Sequence, residues 1–150
     1  MSRLGSAFKN SDNLRLKTFE LGGQIFRVRI PLTKEMEAIE ERIKKVDEAE
    51  EQRRYEKMVA GFTDVEIDGV VKTENDLVVD GRSTRDMVRM VIQMENRVVE
   101  FVKLLVPTDG SLDDITYDEI DSEWPMSVQL DLLAKINEVI APGYKEERKN

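Results

Sequence analysis

The stretch STRDMVRMVIQMENRVVEFVKLL, Ser83 to Leu105, is the longest segment in which a helix start, an apolar face and a helix stop agree. Ser83 suits the N-cap, and Asp86 three residues on completes a variant of the capping box. The stop comes where Val106 meets Pro107, because the residue before a proline is driven out of helical φ/ψ. Met87, Val91, Met94, Val98, Phe101, Val102 and Leu105 follow three- and four-residue steps, so they line one side of a helix about 34 Å long. Val88, Ile92 and Val99 widen that side. Each enclosed aliphatic or aromatic side chain stabilises by roughly 1.5 to 3 kcal/mol before ordering entropy is subtracted, which makes this the expected central core helix.

On the C-terminal side, Asp109 to Glu123 is an acidic connection with a compact helix start inside it: Thr116 with Glu119 as capping box, flanked by Ile115 and Ile120. Pro125 then opens a final helix presenting Met126, Leu130, Leu133, Ile136 and Ile140, with Leu132 and Val139 adjoining, up to Pro142-Gly143. This helix is expected to pack on the central one. On the N-terminal side, Leu14 to Leu21 and Gln24 to Ile30 flank Gly22-Gly23, a hairpin signal. Phe26, Val28 and Ile30 alternate with Arg27 and Arg29, giving one apolar and one cationic face. After Pro31, Thr33 caps a helix expected over 34 to 60, its seam of Met36, Ile39, Ile43 and Val46 fading into the charged run Asp47 to Arg54. Asp68-Gly69, between Ile67 and Val70, reads as a second short hairpin inside a polar segment that runs to Asp80.

The fold class expected is therefore mainly α within α+β: a small helical domain over 14–143 with an N-terminal β-hairpin and a second short hairpin. Residues 1–13 form a flexible start and 144–150 a charged tail. With 150 residues, one real core is affordable but a second full domain is not. A net charge of -8, from 31 acids against 23 bases, excludes a general nucleic-acid binder. No run of about 18 apolar residues exists to span a membrane. The absence of cysteine and histidine removes disulfides, thiolate sites and the commonest neutral-pH acid-base group.

Chemistry-bearing patterns are few. Asp64, Glu66, Asp68 and Gly69 mimic the start of an EF-hand loop, but Asn75 stands where a bidentate glutamate is needed, and a polar hairpin explains the same residues. Asp109, Asp113, Asp114, Asp118, Asp121 and Glu123 read as a solvated acidic loop, with no glycine-rich phosphate cradle beside them. Neither metal nor cofactor is expected, and no catalytic residue is assigned. Met87, Met90, Met94 and Met126 have two readings, core filler or an adaptable surface for apolar partners. The seam Met36, Ile39, Ile43 and Val46 likewise either belongs to a solvent-facing helix or packs on a partner or second subunit. Trp124, the sole tryptophan, closes the core or anchors a partner. These five, Met36, Ile39, Ile43, Val46 and Trp124, are the partner-binding candidates.

The order of parts carries a resemblance. A β-prone start with Phe26-Arg27-Val28-Arg29-Ile30-Pro31, a charged helix, an Asp-Gly segment, a long apolar helix, the acidic Ile115 to Trp124 link and a final amphipathic helix resemble the tail assembly chaperones of long-tailed, siphovirus-like bacteriophages, over roughly Phe19 to Gly143. The resemblance implies a non-enzymatic, mainly helical protein of the host cytoplasm that binds the tape measure protein, helps recruit tail tube protein subunits, and is absent from the mature virion. It also implies a frameshift-extended form of the same chain as a companion, with self-association as a further partnership. A structural virion component, such as a head-tail connector or tail-completion protein, is the alternative that the same composition allows.

Overall fold

The computed structural model describes residues 3, 14–60, 69–73 and 75–141. It is an α+β protein, with five helices and two small antiparallel sheets among the described residues. The chain divides into two compact units, one comprising Met1–Glu40 with Val98–Asn150, the other Glu41–Arg97.

In the first unit, β1 (Leu16–Leu21) and β2 (Gln24–Arg29) form the expected hairpin, with Leu21 paired to Gln24 and Leu16 to Arg29. Gly22 and Gly23 both have positive φ, 61° and 79°, the backbone that a two-residue turn needs to match strand twist. Phe19 stacks on Phe26 across the pair at 5.3 Å, and Val28 is wholly buried. The outer edge of β2 gains a third run of chain: Arg29 N–H donates to the Leu104 carbonyl and Val106 N–H to the Arg27 carbonyl, both at 2.8 Å. Next come α4 (Tyr117–Glu123), capped by Thr116 accepting from Glu119 N–H, and α5 (Met126–Ile140). The core here holds Val28, Val98, Phe101, Val102, Leu104, Ile120, Leu132 and Ile136. The backbone of α5 comes close to both strands of the hairpin, β1 above all.

The second unit holds α2 (Glu48–Val59) and a three-stranded sheet, β3 (Val70–Lys72), β4 (Leu77–Val79) and β5 (Arg82–Ser83), in that order. Two helices supply residues to both units: α1 (Thr33–Lys44) and the central helix, α3 (Thr84–Val102). Ile43, Tyr55, Leu77, Val88 and Ile92 are its buried apolar residues.

Three expectations need correction. The helix expected over 34 to 60 is two helices, because Asp47 caps a new start by accepting from Ala49 N–H, and the carbonyls released at the break are taken by Asn96 Nδ2 (Ile43 at 3.2 Å, Lys45 at 3.0 Å) and Gln93 Nε2 (Lys44 at 3.4 Å). The central helix stops at Val102, three residues early, since Leu104 to Val106 satisfies its backbone on β2. Its capping survives, with Ser83 Oγ accepting from Asp86 N–H at 3.2 Å. The small second sheet pairs β3 with β4, and the hairpin expected at Asp68-Gly69 rests on Val65, Ile67 and Asp68, which lie outside the described residues. Finally, α5 buries Gln129, Leu132 and Ile136, while Met126 and Leu130 are exposed, so its inner face is turned from the one expected.

Candidate functional site

The apolar stripe of α3 is continuous in sequence but not in burial. Val98, Phe101 and Val102 are at most 2% exposed, whereas Met87 and Met94 are 39%, Val91 51% and Met90 65% exposed. At about 100° per residue these positions share one face, so the C-terminal half of the stripe is core and its N-terminal half is surface. What holds α3 in this attitude is polar. Arg54 of α2 grips Glu95 in a fork, both contacts 2.7 Å, and also reaches Glu50 at 2.8 Å. These charged partners hold the Arg54 pKa above its ordinary value, Glu95 contributing most. Arg85 lies 3.9 Å over the Tyr55 ring and donates to Gln52 at 2.9 Å.

Asp76 ties the sheet to the start of α3, accepting from Leu77 N–H (2.8 Å), Arg85 N–H (3.1 Å) and the Ser83 hydroxyl. Burial raises the pKa of this carboxyl, but the three hydrogen bonds and the Arg85 charge outweigh it, and the net shift is downward. Beside it, Asp80 (φ 51°) and Gly81 (φ 79°) make the tight β4 to β5 turn. The turn forms one wall of a cavity of about 500 Å³, lined by Met58, Leu77, Val79, Asp80, Arg82, Thr84 and Met87. Met58, 46% exposed, and Met87 join this cavity to the methionine face.

The first unit carries a cleft of about 560 Å³, lined by Gln24 to Arg27, Leu105 to Thr108, Leu112 and Trp124. Trp124 closes α4, and its carbonyl accepts from Gln129 Nε2 at 2.8 Å. Gln129, 1% exposed, also donates to Asp121 at 3.0 Å and accepts from the Tyr117 hydroxyl at 2.9 Å, so this buried amide sets the tryptophan's place.

Of the residues singled out from sequence, Trp124 lines this cleft and is half-buried. Ile39 and Ile43 are buried, at 4% and 2% exposure, and Met36 and Val46 are half-buried. The exposed apolar surface of α3 was read from sequence only as one of two options for its methionines; its signal is a stripe longer than the core it serves. Asp64, Glu66 and Asp68 lie outside the described residues, and among the described residues no three acids gather as a metal site. Among the same residues, no helix is long and apolar enough to cross a membrane. Compared with protein-family models, with curated proteins and with solved structures, the chain matches none.

Proposed function

We propose that this chain is a non-enzymatic tail assembly chaperone of a long-tailed bacteriophage, which holds the tape measure protein and helps recruit tail tube subunits in the host cytoplasm. The observation that carries this reading is the exposed half-stripe of Met87, Met90, Val91 and Met94 on α3. A tape measure chain is long and helical and shows apolar stripes until the tube encloses it. Unbranched, polarizable methionines adapt to many such stripes, and the -8 charge keeps the complex soluble.

The test is co-expression with a tape measure protein of a long-tailed phage. Co-purification is expected, and the double variant Met90→Ser, Met94→Ser should lose it while keeping a cooperative melt. The seam is a poorer target for this purpose, because replacing the buried Ile39 and Ile43 by serine perturbs packing wherever the contact lies. Absence of tape measure protein from the purified complex, together with abundance of the chain in mature particles, would replace this reading by a structural virion component.

A further inference from the structure

The two edges of β2 are not equally used. Arg29 N–H and the Arg27 carbonyl face the outer edge and bond Leu104 and Val106, so strand alternation puts the N–H and carbonyl of Ile25 on that same edge. Gln24, Phe26 and Val28 then face β1, and Ile25 sits opposite Glu20 in a pair that exchanges no backbone bond. Beyond Val106 the outer ladder ends: among the described residues no backbone group bonds Ile25 there. Pro107, Thr108, Leu112 and Trp124 instead stand along the cleft that this open edge shares. Ile25 is 70% exposed, and Arg27 is the one charged residue lining the cleft, without an ion pair among the described residues.

We propose that this cleft binds an extended, acidic segment of a partner protein, which joins β2 as an added strand at Ile25. The open donor and acceptor at Ile25 match the backbone of an extended chain. Trp124 and Leu112 receive an apolar side chain of that segment, and Arg27, a cation on a chain of net charge -8, receives a carboxylate. This site lies in the first unit and stands independently of the chaperone reading, which rests on α3 in the second.

Because Trp124 is the only tryptophan, its emission reports this cleft directly. The probe is the end-blocked peptide Ser-Glu-Val-Asp-Val-Glu-Ser, with Ser-Lys-Val-Lys-Val-Lys-Ser as its charge-reversed control, titrated into the full chain. The acidic peptide should change Trp124 emission saturably at millimolar concentration or below, and at saturation should slow exchange of the Ile25 amide proton by roughly tenfold or more. Ile25→Pro removes only an outward N–H, sparing the ladder to β1, and should weaken the acidic peptide with the melt retained. Arg27→Glu should exchange the preference of the two peptides, an outcome that loss of folding does not produce. Unresponsive Trp124 emission at millimolar acidic peptide, equal binding of both peptides to the unaltered chain, or saturation with the Ile25 amide unprotected would each overturn the proposal.

Discussion

Glu35 joins two arginines that are distant in sequence, taking Arg29 at 2.6 Å and Arg15 at 2.8 Å, and so pins the start of α1 to the hairpin. The Arg29 hydrogen bond is the largest influence on its carboxyl, stronger than the opposing effect of burial, and the pKa falls below the ordinary 4.5. A depressed carboxylate contributes its full stability above the ordinary value and loses it as pH falls through the depressed one. The melting-temperature gap between the native chain and Glu35→Gln should therefore be constant from neutral pH to about 5 and close below 4.5. A gap that widens on acidification would show that the pair does not act this way. Since a third of the side chain is exposed, the gap itself should be small. Gln129 is the contrasting case. Its three partners are satisfied inside the first unit, so Gln129→Ala takes the side-chain donor from the Trp124 carbonyl and should cost about 1 kcal/mol in denaturant melts, with a shifted Trp124 emission.

Within α3, one helix contains both outcomes of the same sequence pattern. Val98→Asp places a charge where 1% of the residue is exposed and should cost about 3 kcal/mol or more, whereas Met90→Ser, at 65% exposure, should change stability by less than about 0.5 kcal/mol. Comparable melting shifts would mean that the stripe is buried or exposed throughout. Periodicity made this helix, its Ser83 cap and its apolar face legible, because those depend on local spacing. It did not reveal where along the stripe the cover ends, since that depends on residues far away in the chain. The Gly22-Gly23 hairpin was legible for the same local reason, as a turn chemistry between β-prone runs. Asp80-Gly81 carries an equally local signal between Val79 and Arg82, but β4 and β5 are not evident in the sequence because the apolar triplet Leu77–Val79 is too short to stand out from its polar surroundings. The break between α1 and α2 was hidden for a different reason. Its carbonyls depend on Asn96, 53 residues from Ile43, and Asn96→Ala should cost about 1 kcal/mol while loosening exchange of amides near Lys44 to Asp47.

For the molecule as a whole, charge and apolar surface work against each other, and salt separates them. The chain carries 31 acids against 23 bases, and among the described residues its exposed apolar side chains include four on α3, Met87, Met90, Val91 and Met94, with Ile25 and Met58 beside the cavities. Trp124 stands out in the sequence because it is unique, and in the structure it lines a cleft; the α3 surface is visible in the sequence only as an option, because an apolar stripe does not say whether it is covered. On the proposed chaperone reading, the stripe serves capture and the net charge serves dispersal. Added salt screens the repulsion between complexes, over a distance that shrinks from about 10 Å at 0.1 M to about 3 Å at 1 M, but leaves apolar burial intact. Capture of an aggregation-prone tape measure fragment should thus persist as salt rises, while the captured complex passes from clear solution to precipitate. Light scattering follows the dispersal, and pull-down at matched salt follows the capture. The variant Met90→Ser, Met94→Ser should fail at capture in every salt concentration, because it removes the apolar contact without touching the charge. If salt instead released the fragment and left both components soluble, the contact would be mainly electrostatic, and the methionine face of α3 would not be the surface that holds it.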